Sequence, residues 1–335
     1  MSRVLTGEGA ENRLVEDSFS VIIPLFNKQE YICRAIDSVL RQTKKPEEII
    51  VVDDGSTDDG ARLVSRYLDK RILLHRQENK GVGAARNAGV AKATKSLVAF
   101  LDADDAWLSH HLEELDKLSM KFSECGLLST GYIEQSTDDP FPDNLVQASP
   151  IIRGRVDYFS QASRNPGFVW SSAVAVRRNV FDKLGGFGTE RVGEDTEFWV
   201  RVALDYPVAA SSRITSVYYR GTGGVIEGLG NNSAPSARVG SLAEVAPALR
   251  TLCERAKTDQ ALFKSGSVRA YVNGRLLLGI KSNLLQGNFP RARSFSVLML
   301  KSIEMRFVFW RFLFLFPDSF IKAAIWLQQQ LKRLK

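Results

Sequence analysis

From residue 19 onward, short unbroken apolar runs alternate with stretches of helical periodicity. Phe19-Ser-Val-Ile-Ile-Pro-Leu25 predicts a short buried strand, and Tyr31, Ile32, Ala35, Ile36, Val39 and Leu40 recur at helical spacing within residues 29–42. Pro46 breaks the chain before a second apolar run, Glu48-Ile-Ile-Val-Val52. Asp53-Asp54-Gly55-Ser56-Thr57 then supplies turn and N-cap residues ahead of a helix reaching Tyr67. Residues 71–75 predict a third strand, 83–93 a third helix, and 96–101 a fourth strand that ends in Asp102-Ala-Asp104-Asp105. Strands and helices alternating at this spacing predict an α/β fold, a mostly parallel sheet flanked by helices on both faces.

The pattern weakens over residues 126–155, where Gly, Pro, Asp and Ser are frequent and only 126–133 reads as a strand, so a loop or sheet edge is expected there. Residues 172–176 read as a strand and 179–184 as a helix. Gly185-Gly186-Phe187 makes a tight turn before an acidic helix start at Gly193-Glu194-Asp195-Thr196-Glu197. Residues 221–232 are rich in Gly and Asn without apolar period, and the chain beyond reads as helical. The expected organisation is a loose tail over 1–17, an α/β domain over 18–235 and a helical C-terminal region over 236–335.

Composition narrows the class. With 44% hydrophobic and 25% charged residues, the 335-residue chain is an ordinary folding protein of one large or two modest domains. Cys33, Cys125 and Cys253 make no CxxC pair and leave an odd count, which suits a reducing compartment better than a disulfide framework. The first 17 residues have no apolar h-region and do not read as a secretory signal. Residues 251–335 carry 15 basic and 4 acidic groups, leaving 30 and 34 for residues 1–250. The acidic balance of the main domain argues against a nucleic-acid groove there.

In an open α/β sheet, ligands bind outside the carboxyl ends of the strands. Those ends carry Pro24-Leu-Phe26-Asn27, Asp53-Asp54-Gly55-Ser56, Glu78-Asn79-Lys80-Gly81 and Asp102-Ala-Asp104-Asp105, four loops of carboxylate, amide and glycine on one rim. In extended backbone Asp102 and Asp104 point the same way, so both can face one hard divalent cation, and no His or Cys cluster suggests zinc. The same Asp-x-Asp is also compatible with a capped turn. Gly81-Val-Gly83-Ala-Ala-Arg86 nearly makes a dinucleotide fingerprint, but Arg86 stands where the third glycine belongs, and no GK[ST] phosphate loop occurs.

In this order and spacing the segments resemble the family 2 glycosyltransferases. The motifs are Val-Ile-Ile-Pro24-Leu-Phe-Asn27, Ile-Ile-Val-Val-Asp53-Asp54-Gly-Ser-Thr-Asp58, Asn79-Lys-Gly-Val-Gly83-Ala-Ala-Arg86-Asn87, Ala-Phe-Leu-Asp102-Ala-Asp104-Asp105, Gly185-Gly186-Phe187 and Glu194-Asp195. The likeness runs over about 200 residues and implies a GT-A, Rossmann-like catalytic domain that binds a nucleoside-diphosphate sugar, of the UDP class. It implies a nucleoside pocket lined by Pro24, Phe26, Asn27 and Asp54. Gly81, Gly83, Arg86 and Asn87 would lie under the nucleotide, and Asp102 and Asp104 would face a Mn²⁺ or Mg²⁺ ion, Asp104 as the direct ligand. Asp195 matches the catalytic base of an inverting transfer, with Glu194 and Arg220 as candidate diphosphate or acceptor contacts. Repulsion among Glu194, Asp195 and Glu197 favours a raised pKa in one of them, and the helix N-terminus pulls the other way.

Many members carry Glu where Gln29 stands, and a His shortly after the Tyr-Arg matching Tyr219-Arg220, where Thr222 and glycines stand. These departures bear on phosphate contacts and loop closure, not on the fold. His75, His110 and His111 fit no metal spacing and read as surface or packing residues. The run Phe307-Val-Phe-Trp310-Arg311-Phe-Leu-Phe-Leu-Phe316 is shorter than the roughly 20 residues of a spanning helix. With its flanking Lys and Arg it predicts peripheral contact of residues 296–335 with an anionic membrane, the alternative being a helical cap or dimer interface. A glycan or lipid-linked acceptor at the cytoplasmic face of a membrane, in surface polysaccharide assembly, follows as the expectation. The rivals are a sugar nucleotidyltransferase, whose glycine-rich triphosphate loop is missing after the first strand, and a non-catalytic sugar-nucleotide scaffold, which would not need Asp102, Asp104 and Asp195.

Overall fold

The computed structural model describes residues 17–142, 145–223 and 240–300. The expected loose tail up to residue 16, the boundary near 235 and the aromatic run at 307–316 lie outside these residues. The four predicted strands form as β1 (Phe19–Leu25), β2 (Glu48–Asp53), β3 (Ile72–Arg76) and β4 (Leu97–Phe100), joined by helices α1 (Ile32–Leu40), α2 (Gly60–Val64) and α3 (Val82–Lys92). They pair in parallel, β3 on β2, β2 on β1 and β1 on β4. All seven residues of β1 are buried, because the sheet is covered on both faces. Val21 and Ile23 enter one core with Ile36, Val39 and Leu115, while Ile22 and Val98 enter the other with Ala85, Val174 and Phe198.

Beyond β4 the parallel expectation needs correction. β5 (Ala106–Trp107), β6 (Leu127–Ser136), β7 (Arg153–Val156), β8 (Val174–Arg177) and β9 (Val208–Arg220) complete one sheet in the order β3-β2-β1-β4-β8-β6-β9-β5, with β7 on β9. In this half β8 runs antiparallel to β4 and β6, β9 runs antiparallel to β5 and β7, and only β6 with β9 is parallel. The stretch 126–155 thus holds two strands rather than a loop with one. The thirteen-residue β9 shows no apolar alternation because its inward polar side chains are paired. Ser211 donates to buried Glu114 at 2.6 Å, Thr215 to Thr130 at 2.7 Å and Ser216 to the Ser172 carbonyl at 2.8 Å.

Helices α4 (His111–Lys121), α5 (Tyr158–Arg164), α6 (Arg178–Leu184) and α7 (Glu194–Asp205) cover the sheet. The C-terminal helices α8 (Pro247–Thr258), α9 (Gly266–Leu285) and α10 (Phe289–Leu298) bury Leu249, Leu252, Tyr271, Leu276 and Phe295 in the same core as α5 and α7. Gly274 brings α9 so near α5 that a Cβ there would lie 3.0 Å from the Ser163 carbonyl. Thr251 donates to Glu197 at 2.7 Å and Arg255 pairs with Asp205 at 2.7 Å, fastening α8 to α7. Among the described residues no helix is long and apolar enough to cross a membrane.

His111 is a packing residue. It is fully buried, stacked on Trp107 at 4.2 Å, with Nδ1 2.7 Å from the Thr215 hydroxyl. Burial holds its pKa well below the ordinary value, with His110 adding to the effect. The folded imidazole is therefore neutral while the unfolded one takes a proton below about pH 6.5, so its contribution to stability is present above that pH and is lost as pH falls. Between pH 7.5 and 5.5 we expect wild type to lose roughly 1.4 kcal/mol more stability than His111→Gln, the cost of one pH unit of protonation linkage. Urea unfolding at the two pH values measures it; identical losses would show that His111 is not neutral in the fold.

Candidate active site

The ends of β1 to β4 form one rim, and the first two loops are stitched together. Asn27, at φ +51°, occupies the left-handed region that asparagine tolerates. Its amide oxygen accepts from the Thr57 backbone N–H at 2.8 Å, and its own N–H donates to Ser56 at 3.1 Å. Gln29 accepts from the Asp59 N–H at 2.9 Å, so the residue that departs from the usual Glu closes this seam. Phe26 stays 44% exposed on the rim, an apolar ring free to meet a planar base. Asp54 is buried and accepts from Gln77 Nε2, Lys80 N and Gly81 N at 2.7, 2.9 and 2.8 Å. It does not cap the next helix; it ties the second loop to the glycine turn, where Gly81 sits at φ +89°.

Arg86 is the hub. Its guanidinium, only 3% exposed, donates to Asp102 Oδ1 at 2.7 Å and to Glu194 Oε1 at 2.9 Å. Arg86 is thus an internal bridge between the end of β4 and the start of α7. Burial opposes the charge on Arg86, and Asp102 and Glu194 more than offset it, so its pKa is raised. Burial likewise pushes the Asp102 and Glu194 carboxyls up while Arg86 draws them down. Of the acidic helix start, burial therefore outweighs the helix N-terminus at Glu194.

Asn87 spends both ends of its amide on Phe187, accepting from its N–H at 2.8 Å and donating to its carbonyl at 2.9 Å. These bonds position the Gly185-Gly186-Phe187 turn. Gly83 and Gly186 make this docking possible: a Cβ on Gly83 would lie 2.5 Å from the Gly188 carbonyl and one on Gly186 2.0 Å from Asn87 Oδ1.

The carboxylates after β4 are handled in three ways. Asp102 belongs to Arg86. Asp104 is held by the Lys28 ammonium at 2.8 Å and by the Thr222 hydroxyl at 2.8 Å, while Lys28 also donates to the Thr222 carbonyl at 2.7 Å. Asp105 is buried and accepts from Ser172, Trp170 Nε1 and the Tyr219 N–H at 2.5, 3.1 and 3.1 Å. Burial, with Asp104 and Asp102 adding to it, pushes its carboxyl well above the usual range. Asp195, the second residue of α7, accepts from the Ser171 hydroxyl at 3.0 Å on one oxygen and from the Thr196 N–H at 2.6 Å on the other.

Arg220 does not reach this rim. Neighbouring strand residues point to opposite faces, so Tyr219 lies under Arg34 at 3.6 Å while Arg220 turns outward and pairs with Glu134. Lys28, Ser171, Ser172 and Thr222 are site residues that motif reading passed over. Lys28 directly follows Asn27 of the first motif, and Thr222 marks the departure from His, so both had a signal in the sequence; the two serines had none.

A sheet of this topology with an acidic rim, and a helix start presenting an Asp beside it, fits the GT-A fold. The chain belongs to glycosyl transferase family 2, whose family model matches residues 20–185. An uncharacterized glycosyltransferase of Nostoc sp. (alr2836) is 34% identical over 168 residues, 49% of this chain and 52% of that protein. The putative teichuronic acid biosynthesis glycosyltransferase TuaG of Bacillus subtilis is 37% identical over 132 residues, 38% of this chain and 52% of that protein. The matches thus span about half the length of these relatives. The crystal structure of S. aureus TarS 1–349 superposes with a TM-score of 0.61 at 18% identity over 84% of this chain and 81% of that one. A similar superposition, with TM-score 0.61 and 17% identity, is found for TarS 1–349 in complex with UDP-GlcNAc, over 84% and 82% of the two chains.

Removing Arg86 would leave Asp102 and Glu194 without their cation. We expect Arg86→Met to cost about 3–5 kcal/mol of stability, and Arg86→Lys, which keeps the charge and loses the two-pronged fork, to cost less. Denaturant midpoints of the two variants test this; a loss under about 1 kcal/mol for Arg86→Met would show that the carboxylates do not depend on it.

Proposed function

We propose that this protein transfers a sugar from a nucleoside-diphosphate sugar of the UDP class to a hydroxyl of a glycan or lipid-linked acceptor, with inversion, in surface polysaccharide assembly. The observation that carries the reading is the Arg86 bridge, which joins the carboxylate at the end of β4 to the helix start bearing Asp195 and so keeps donor side and base side in one rigid frame. The teichuronic acid assignment of TuaG and the UDP-GlcNAc complex of TarS support the acceptor and donor classes.

Phe26 and Asn27 form one wall for the nucleoside, and Asp54, whose three donors fix its carboxylate, offers an anionic acceptor for an imide N–H. The diphosphate falls at Asp102 and Asp104. Asp104 already holds an ammonium, so its position attracts cations. Among the described residues no group of three or more acidic, His or Cys side chains could hold a metal by itself, which fits an ion completed by substrate phosphates and water. Asp104 and Asp102 would hold that Mn²⁺ or Mg²⁺, which when bound offsets charge on the departing diphosphate.

On the other side Ser171 and the Thr196 N–H orient the Asp195 carboxylate and leave lone pairs for a substrate proton. Asp195 takes the proton of the acceptor hydroxyl as that oxygen bonds the anomeric carbon. The bond from that carbon to the diphosphate oxygen breaks on the opposite face, and its electron pair leaves with the nucleoside diphosphate. Glu194, tied to Arg86, sets the start of α7 and with it the direction of Asp195.

Asp195→Asn should lower turnover by about 10²–10⁴-fold with UDP affinity within a factor of about two, whereas Asp104→Asn should weaken UDP binding in Mn²⁺ and leave it unchanged in chelator. Release of UDP from a panel of UDP-sugars, with calorimetric UDP titration, reads both. An Asp195→Asn protein as active as wild type would end the base assignment, and GDP or NAD binding in place of UDP would end the donor class.

A further inference from the structure

One cation on the rim is held differently from its neighbours. Lys28 lies between the first loop and the carboxylates after β4, with its ammonium 2.8 Å from Asp104 Oδ2 and donating to the Thr222 carbonyl at 2.7 Å. The Thr222 hydroxyl donates to the same Oδ2 at 2.8 Å. The backbone on both sides of this contact is fixed. The Lys28 carbonyl accepts from the N–H groups of Tyr31 and Ile32, at 3.0 Å each, and the Asp104 carbonyl accepts from the Arg34 guanidinium at 2.6 Å. The side chains of Lys28 and Asp104 remain 16% and 17% exposed, so solutes can reach the pair.

The neighbouring cations are committed. Arg86 is buried between Asp102 and Glu194, and the Arg34 guanidinium, 3.6 Å from the centre of the Tyr219 ring, fixes the Asp104 backbone. Lys28 instead carries a compact, hydrated charge on a flexible stem of four methylenes. A divalent ion on Asp104, the carboxylate assigned above as its ligand, would repel an ammonium on the same group, so each weakens the hold of the other. An ammonium driven off Asp104 is partly desolvated and needs another anion. Its fixed backbone keeps it on this rim, and there the anion is the diphosphate that falls at Asp102 and Asp104. Donor diphosphate and divalent ion bring opposite charges together, so an exchange of partners leaves every charge paired, ion with Asp104 and ammonium with phosphate.

We propose that Lys28 is a counter-charge stored on Asp104: its ammonium and a divalent ion are alternative partners of that carboxylate, and the displaced ammonium pairs with the donor's diphosphate. The inference rests on the sugar-transfer reading above and adds to it a residue that binds the diphosphate directly.

The test uses the full chain and two titrations whose expected shifts have opposite signs. Without nucleotide, Mn²⁺ binding is read from the electron paramagnetic resonance of the free ion, and Lys28→Met should bind Mn²⁺ about tenfold more tightly than wild type. With Mn²⁺ at a concentration that saturates each protein, calorimetry should show UDP binding about tenfold weaker in Lys28→Met, while uridine, which has no phosphate, binds both proteins equally. A lysine that only props the rim would weaken both ligands when removed. If Lys28→Met does not fold, Lys28→Gln keeps a polar head without the charge and should shift both titrations the same way. Wild-type UDP binding is recorded first, so failure of the donor reading shows there, and the Mn²⁺ titration still reads the exchange by itself. Mn²⁺ affinity no higher in the variant than in wild type, undetectable binding in both included, overturns the proposal, as does UDP affinity unchanged by the substitution.

Discussion

The site depends on one buried cation. Arg86 lies in α3, Asp102 at the end of β4 and Glu194 at the start of α7, so a single guanidinium joins three parts of the chain that no backbone hydrogen bond connects directly. A fully desolvated arginine with one carboxylate would be poorly compensated; here two carboxylates meet its Nη1 and Nη2, and the Phe187 ring lies 5.5 Å away. Buried ion clusters are weak sources of stability compared with apolar packing of the same volume. They do fix geometry, because each member is intolerable without the others. Here the geometry fixed is the direction of α7 and hence of Asp195. The arginine that spoils the glycine fingerprint of a dinucleotide fold is the residue around which this different site is built.

Around that hub the rim crowds more carboxylates than water-free protein readily accepts, and each is settled by a different device. Asp54 is absorbed by backbone N–H groups of the glycine turn. Asp105 takes three donors and anchors Trp170, Ser172 and the Tyr219 backbone, which locks β9 against the rim. Asp104 alone is met by a lysine, a hydrated point charge on a flexible stem that exchanges partners more readily than the arginine fork. The frame is thus rigid at Asp54, Asp102 and Asp105 and exchangeable at Asp104.

How far this could be read from the sequence follows from where burial is apolar. β1, β2 and β4 are covered on both faces and announce themselves as unbroken runs, and the rim loops follow from their ends. β9 was illegible because Ser211, Thr215 and Ser216 point inward and are satisfied by Glu114, Thr130 and Ser172, contacts set by residues far away in the chain. The same limit applied to the site. Glycine spacing located Gly83, Arg86 and Asn87, but it could not tell a nucleotide contact from an internal clamp. That distinction rests on Glu194, Asp102 and Phe187, which arrive from other parts of the fold. Arg220 shows the same limit: the motif singled out Tyr219-Arg220 without a strand to hold them, and it is the alternation along β9 that turns the Arg220 side chain toward Glu134.

The C-terminal helices pack into the α/β sheet's own core. Their apolar faces enter the core that supports α5 and α7, so Leu249, Leu252, Tyr271 and Phe198 share one packed interior. Thr251 bonds Glu197, one turn along the helix from Glu194, so α8 braces the element that presents Asp195. A shift of α8 or α9 would therefore be felt at Asp195 before it was felt at the β1–β2 rim, whose loops are stitched among themselves by Asn27, Gln29 and Asp54. The rim loops are thus held by the first half of the chain, and the helix start that carries Asp195 is braced by the second.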